Sequence, residues 1–137
     1  MEWTDWTKFC SLKLRRFLYL ISPKKINEKF YKNLDEVLSF KNVEYFQLRL
    51  KKQSIIKITN IAKKIKKITK KYRVKLIIND SAFLAKKINA DGCHLGQSDG
   101  TLKNARKLLK KGKIIGITCH GSKKLILNAI KEKPDYI

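Results

Sequence analysis

Acidic residues are scarce in this 137-residue sequence, which has 11 Asp and Glu against 33 Lys and Arg and a formal net charge of +22. Such an excess of positive charge attracts polyanions, whether nucleic acid, an acidic membrane surface or phosphorylated metabolites. Most of the basic residues are lysines at helical spacing. We therefore interpret most of these basic residues as lying on solvent-exposed helix faces, and the remainder as candidates for an anion-binding site.

Cysteine is also scarce, and Cys10, Cys93 and Cys119 are odd in number, far apart and free of any C-x-x-C pattern. This excludes a disulfide framework and predicts reduced thiols. No apolar run approaches the ~20 residues of a membrane span, and the start, Met1–Asp5, is acidic where a signal peptide is basic. We expect a soluble cytoplasmic protein.

Proline is limited to two residues, and no Pro- or Ser-rich linker divides the chain. The hydrophobic content of 43% is enough for a core and excludes wholesale disorder. We therefore expect residues 1–137 to form a single domain.

Short apolar runs alternate with helical patterns along the whole chain. The runs predict strands at 17–21, 45–48, 74–78, 93–95 and 114–117, with a sixth beginning at 135–137. Helices are predicted at 24–40, 54–72, 81–89, 101–111 and 122–131, with a leading helix at 1–14. Ser54, Ser81, Thr101 and Ser122 stand in cap position, Gly112 ends the fourth main helix, and Pro134 follows the last. Strands alternating with helices predict an α/β fold with a parallel sheet.

Polar residues cluster where four successive strands end. The segments concerned are Gln47 to Lys51, Asn79–Asp80, Gln97 to Asp99, and Thr118 to His120. Ligands bind at the carboxyl ends of parallel strands, both in open sheets and in barrels. We therefore predict a binding site there.

The residue types at these strand ends indicate the ligand chemistry. Arg49 and Lys51 suit a phosphate chain, because a guanidinium binds in a bidentate manner and an ammonium acts as a point charge. Asp80 and Asp99 are carboxylates of the kind that hold Mg²⁺ together with substrate phosphates. The combination favours a metal-bound pyrophosphate. The alternatives are structural: Asp80 as a cap for the helix at Ser81, and Asp99 as a turn residue.

Two Cys-His pairs, Cys93-His94 and Cys119-His120, raise the question of a zinc site or a cysteine nucleophile. Adjacent residues on a strand point to opposite faces, so neither pair converges easily on one ion. We expect no zinc site here.

Four motifs resemble the thiamine-phosphate synthase family. Gln47 to Lys51 resembles Q-L-R-x-K, Ile77 to Asp80 resembles I-I-N-D, Ala90 to Asp99 resembles A-D-G-V-H-L-G-Q-x-D, and Ile114 to His120 resembles I-I-G-V-S-x-H. The order matches and the resemblance covers about Phe17 to Ile137. It implies a (β/α)8 TIM barrel and transfer of a hydroxymethylpyrimidine group from its pyrophosphate to thiazole phosphate, giving thiamine phosphate.

The resemblance also implies roles for individual residues. Asp80 and Asp99 would hold Mg²⁺, and Arg49, Lys51 and Asn79 would bind pyrophosphate. Gln47 would hydrogen-bond the pyrimidine, and Thr118 would contact the leaving phosphate. Arg49, Lys51 and Thr118 would thereby assist the departure of pyrophosphate, because developing negative charge needs cations and donors.

The chain departs from the family pattern in two ways. Thr118 replaces the usual Ser, which keeps the hydroxyl but stiffens the side chain. The family also continues beyond Ile137, and a complete barrel of this type needs at least ~200 residues. We therefore expect a carboxyl-terminally truncated barrel of five to six βα units, with little turnover by itself and open sheet edges that favour self-association.

Two other functions are compatible with parts of the sequence. A thiazole tautomerase of the same fold would not join the two rings, and it would release no pyrophosphate. A basic nucleic-acid-binding fragment is suggested by 12 Lys and Arg and no acid between Arg49 and Lys75. However, aromatic residues are not interleaved with these basic residues, and no known nucleic-acid motif appears. We therefore expect no specific nucleic-acid partner.

Overall fold

The computed structural model describes residues 16–137, which form a parallel five-stranded sheet flanked by five helices. The strands are β1 (Leu18–Ile21), β2 (Val43–Leu48), β3 (Lys75–Asn79), β4 (Gly92–Leu95) and β5 (Ile114–Ile117). The predicted leading helix at 1–14 lies outside the described residues. All four neighbouring strand pairs are parallel, in the order β1-β2-β3-β4-β5. Five consecutive βα units of TIM-barrel type result, which confirms the predicted fold class.

The helices are α1 (Glu28–Ser39), α2 (Ile55–Lys71), α3 (Ala82–Lys87), α4 (Leu102–Leu109) and α5 (Lys123–Glu132). Each of the last four begins where predicted, because the side chain of Ser54, Ser81, Thr101 or Ser122 accepts a hydrogen bond from the first turn.

Three helix ends differ from the prediction by two or more residues, and one of them is the end of α3 at Lys87 rather than at Asn89. Helix α1 begins at Glu28 rather than at Lys24, because Asn27 caps it by accepting from the Phe30 amide. Helix α4 ends at Leu109, three residues before Gly112, because Lys110 already has φ +67°. Glycine is the usual residue at a helix end with positive φ, so a lysine in this conformation gives no signal in the sequence.

Side chains of the strands alternate between two environments. On β3, Leu76 and Ile78 are fully buried in the core beneath the helices. Ile77 is equally buried but faces the opposite side, and Asn79 on that same side lines a cavity. This period of two separates an apolar outer face from a more polar inner face of the sheet.

A sixth apolar run begins beyond α5, where Tyr136 forms a parallel bridge with Gly116 of β5. A Cβ atom on Gly116 would lie 2.1 Å from the Tyr136 ring, so only glycine admits the ring over this strand. Nearby, the Asp135 carboxylate accepts from the Ile115 amide at 2.7 Å and from the Arg106 guanidinium. These contacts fix Tyr136 against the inner face of the sheet.

The basic face of α2 is partly neutralised within the fold. Lys64 lies 3.1 Å from the Glu28 carboxylate and Lys71 lies 2.9 Å from that of Asp35. Both pairs are exposed, so each contributes little to stability. None of the helices within residues 16–137 is long and apolar enough to cross a membrane.

We expect Ile65→Ala to reduce the free energy of unfolding by about 2–5 kcal/mol, because Ile65 lies on the fully buried face of α2 and truncation leaves a cavity. Ile56→Ala on the same helix is the matched control, because Ile56 is 74% exposed. Apart from the difference in helix propensity, Ile56→Ala should change the free energy of unfolding by no more than about 0.5 kcal/mol. Urea unfolding of the two variants measures both values, and equal losses would contradict the assigned packing.

Candidate active site

A cavity of about 780 Å³ opens at the carboxyl ends of the five strands. Every residue predicted for the site lines it, namely Gln47, Arg49, Lys51, Asn79, Asp80, Asp99 and Thr118. The parallel sheet places them together because they end or follow four neighbouring strands, β2 to β5, at the same edge. Their roles remain predictions, but their convergence is a property of the fold.

The basic side of the cavity follows β2. The Arg49 amide donates to the Ser22 hydroxyl at 2.9 Å, and Ser22 itself is buried just after β1. This contact keeps the chain extended beyond the last strand residue, Leu48. Gln47, Arg49 and Lys51 consequently continue the alternation and all face the cavity, as predicted.

The acidic side is formed by Asp80 and Asp99. Asp80 has φ +65°, a left-handed conformation that non-glycine residues seldom adopt. It does not cap α3, since Ser81 accepts from the Leu84 amide and fills that position. Its capping alternative is therefore wrong. The backbone instead turns the Asp80 carboxylate toward the cavity, and such local strain is typical of functional sites.

The Asp99 carboxylate closes a turn of the backbone and also lines the cavity. Its Oδ2 atom accepts from the Gly96 amide at 2.8 Å, which closes the turn after β4. A Cβ atom on Gly96 would lie 2.7 Å from that oxygen, so the turn requires glycine there. The turn interpretation and the placement of Asp99 in the cavity are both correct.

The two carboxyl groups repel each other. Burial raises the pKa of Asp80, and the nearby Asp99 carboxylate raises it further. Lys51 and Arg49 oppose this shift and lower the pKa of Asp80. A cation placed between the two carboxylates would relieve this repulsion.

The donor set fits a hard cation that also binds its substrate. No group of three or more His, Cys, Asp or Glu side chains within residues 16–137 is arranged to hold a metal ion. Two carboxylates beside basic residues nonetheless suit Mg²⁺, which commonly takes one or two protein carboxylates and completes its shell with phosphates and water. Asp80 and Asp99 are the residues that would hold it.

The inner face also carries three residues that the sequence analysis did not assign to the site: Tyr19, His94 and Tyr136. Tyr19 donates to Gln47 Oε1 at 3.0 Å, and the Tyr19 and Tyr136 hydroxyls lie 2.6 Å apart. The His94 ring stacks on Tyr136, with 5.5 Å between centroids. The available signal was the alternation on β1 and β4, which puts Tyr19 and His94 on the cavity side.

Burial sets the protonation of these three groups. It raises the pKa of both Tyr19 and Tyr136, so each remains a phenol. It lowers the pKa of His94, in part against the Asp99 charge, and thus favours the neutral imidazole.

Each Cys-His pair divides between the protein interior and the cavity. Cys93 is fully buried in the core beneath the helices, where burial raises the pKa of its thiol to about 12, while His94 lines the cavity. Cys119 is also buried, whereas His120 is exposed at the cavity.

Parallel βα units with a charged cavity at the carboxyl ends of the strands define an α/β protein of the TIM-barrel class. A sequence model of the family described as "Thiamine monophosphate synthase" matches residues 18–137. The chain belongs to this thiamine monophosphate synthase family.

Individual relatives agree with this assignment. The chain is 55% identical to "Thiamine-phosphate synthase" of Pelagibacter ubique over 90% of its length and 59% of that protein. It is 45% identical to the Clostridium acetobutylicum protein of the same name, over 75% of this chain and 49% of the relative. A solved thiamine phosphate pyrophosphorylase from Pyrococcus furiosus superposes with a TM-score of 0.75 at 25% identity, covering 90% of this chain and 60% of that one. The chain thus spans about half to three fifths of the relatives it matches.

We expect Asp80→Asn to stabilise the chain at neutral pH, because it removes one of two repelling carboxylates. The pKa of Asp80 is higher in the folded than in the unfolded chain, so the stability contributed by protonated Asp80 is fully present below its pKa in the unfolded chain. That stability is lost as the pH rises through the folded pKa. The advantage of Asp80→Asn should therefore be present at pH 7 and disappear in acid, as thermal unfolding at a series of pH values can measure.

Asp99→Asn is the companion variant, because it relieves the same repulsion at a residue with ordinary backbone conformation. It should lower the pKa of Asp80, which NMR titration of the carboxyl carbon reports. A gain from Asp80→Asn that is the same at all pH values would instead assign the effect to the backbone, since Asn tolerates positive φ well.

Proposed function

We propose that this chain carries the pyrophosphate and Mg²⁺ site of a thiamine-phosphate synthase. The reaction would transfer a hydroxymethylpyrimidine group from its pyrophosphate to thiazole phosphate, yielding thiamine phosphate and pyrophosphate. The observation that carries the proposal is the meeting of Asp80 and Asp99 with Arg49 and Lys51 in one cavity. The names of the relatives support the same activity.

The basic residues would bind the pyrophosphate. Arg49 is half-buried and lines the cavity, and its backbone amide is held by the Ser22 hydroxyl. Lys51 is exposed and reaches the same space from one step further along. As the bond to the pyrimidine breaks, negative charge accumulates on the leaving pyrophosphate, and these two cations would stabilise it.

Asp80 and Asp99 would bind Mg²⁺ together with phosphate oxygens of the substrate. The cation would supply charge neutralisation for the leaving group. The protein contributes the two carboxylates, one oriented by the left-handed backbone at Asp80 and the other by the Gly96 amide. The mutual repulsion of these acids is relieved when a cation arrives.

The polar amides and Thr118 would orient the substrate. Gln47 is buried, and its amide is already fixed between Tyr19 and Asn79, which suits recognition of a flat heteroaromatic ring. Asn79 would contribute to the pyrophosphate site from the end of β3. The Thr118 hydroxyl lies at the cavity after β5, where it would contact the leaving phosphate.

We expect the chain to bind the aminopyrimidine pyrophosphate in the presence of Mg²⁺ and only weakly without it. Isothermal titration with and without the metal measures this difference. Asp80→Asn should abolish the metal dependence, because the remaining carboxylate holds the cation poorly. Asp35→Asn is the control, since Asp35 lies on α1 and its carboxylate pairs with Lys71, outside the cavity. Equal metal dependence in Asp80→Asn and the unchanged chain would contradict the proposal.

The adjacent lysines offer a second matched comparison. Lys51→Met should weaken binding about 10- to 100-fold, which corresponds to one charged hydrogen bond of about 1.5–3 kcal/mol. Lys52→Met removes the same charge at the next residue, which does not line the cavity. Similar losses in the two variants would indicate that net charge, rather than a phosphate site, governs the affinity.

A further inference from the structure

Six polar side chains form a continuous line of hydrogen bonds across the inner face of the sheet. Consecutive members lie between 2.5 and 3.1 Å apart, in the order Asn79, Gln47, Tyr19, Tyr136, His94, Thr118. We call this line the inner hydrogen-bond chain. Near one end it contains Gln47, proposed to recognise the pyrimidine, beside Asn79, and at the other end it reaches the Thr118 hydroxyl proposed to contact the leaving phosphate.

The direction of the chain is set at Gln47. Its Nε2 atom donates to Asn79 Oδ1, which leaves Oε1 as the acceptor for the Tyr19 hydroxyl at 3.0 Å. A phenol has one hydrogen to donate, and Tyr19 directs it to Gln47. In the 2.6 Å contact between the two phenols, Tyr136 must therefore be the donor.

The same count fixes the tautomer of His94. Tyr136 has used its single hydrogen, so its oxygen can only accept from His94 Nδ1, which lies 3.1 Å away. A neutral imidazole carries one N–H, and here it must be on Nδ1. His94 Nε2 then has only a lone pair, and it accepts the Thr118 hydroxyl hydrogen at 2.7 Å.

We propose that His94 is a positioning residue whose Nδ1–H tautomer, imposed through Tyr136 and Tyr19, holds the hydrogen of the Thr118 hydroxyl. In this state the Thr118 oxygen offers only lone pairs to the cavity. An anionic phosphate oxygen needs a donor, so it is disfavoured at Thr118 until the chain changes direction.

The chain can reverse while only the amide nitrogen and oxygen atoms of Gln47 and Asn79 exchange places. Rotating the Gln47 and Asn79 amides by half a turn makes Gln47 the donor to Tyr19, which then donates to Tyr136. His94 Nδ1 becomes the acceptor, its Nε2–H donates to Thr118, and the Thr118 hydrogen is free for a phosphate. The ring end and the phosphate end of the site are thereby coupled, a consequence that rests on the proposed function.

The test reads the tautomer directly and requires no ligand. Long-range proton–nitrogen NMR on the full chain with labelled histidine identifies which ring nitrogen carries the hydrogen, at a pH where the imidazole is neutral. The sequence has two histidines, and His120→Asn assigns their signals. We expect His94 in the unchanged chain to be predominantly Nδ1–H. A predominant Nε2–H form would overturn the proposal, whatever any variant does.

Tyr19→Phe is the decisive variant, because Tyr19 makes no hydrogen bond to His94. Without Tyr19 as its acceptor, Tyr136 is expected to donate to His94 Nδ1, and the tautomer should change to Nε2–H. Thr118→Val is the matched control at the other end: it removes the donor to Nε2 but should leave the Nδ1–H form in place. A Tyr19→Phe chain that folds and retains Nδ1–H would overturn the relay through Tyr136.

Addition of Mg²⁺ and inorganic pyrophosphate separates this inference from the proposed function. Binding accompanied by a change to Nε2–H supports the coupling, and binding without that change overturns it. Failure to bind pyrophosphate contradicts the proposed function, while the ligand-free tautomer still decides the role of His94.

Discussion

The alternation of side chains on parallel strands is the constraint on which the rest of this structure depends. Each strand must supply apolar residues to the helices outside and polar ones to the cavity inside, at a period of two. On β4, Cys93 is buried under the helices while His94 lines the cavity. A shift of one residue in the register would exchange these environments and remove both the core and the site.

Where the strands end, this constraint relaxes and the loops decide what enters the cavity. The Ser22 hydroxyl binds the Arg49 amide, and the Gly96 amide binds the Asp99 carboxylate. Because Ser81 caps α3, the Asp80 side chain is not used as a cap. The result concentrates two acids beside two bases. The repulsion between the two acids is unfavourable, as the raised pKa of Asp80 indicates, and a cation bound together with an anion, as proposed above, would relieve it.

The inner face of the sheet is connected as well as polar. Because Tyr136 reaches over Gly116 to both Tyr19 and His94, residues of β1 to β4, the residue after β5 and the sixth run belong to one hydrogen-bonded line. Proton positions in such a line are not independent, since each phenol and each neutral imidazole has one hydrogen to give. A change in the donor and acceptor roles at one end of the line would therefore change those at the other end.

The sequence by itself determined the α/β class, the caps of four helices and the set of charged residues at the strand ends. These are local properties: hydrophobic periodicity, a Ser or Thr before a helix, and polar residues after an apolar run. The positive φ at Asp80, whose amide donates to the His94 carbonyl, and the inclusion of Tyr19, His94 and Tyr136 in the site follow from the tertiary structure alone. Those features depend on contacts between residues far apart in the chain, such as the 117 positions that separate Tyr19 from Tyr136. No local pattern encodes such a distance, because it arises only when the sheet curls and brings its first strand opposite its sixth run.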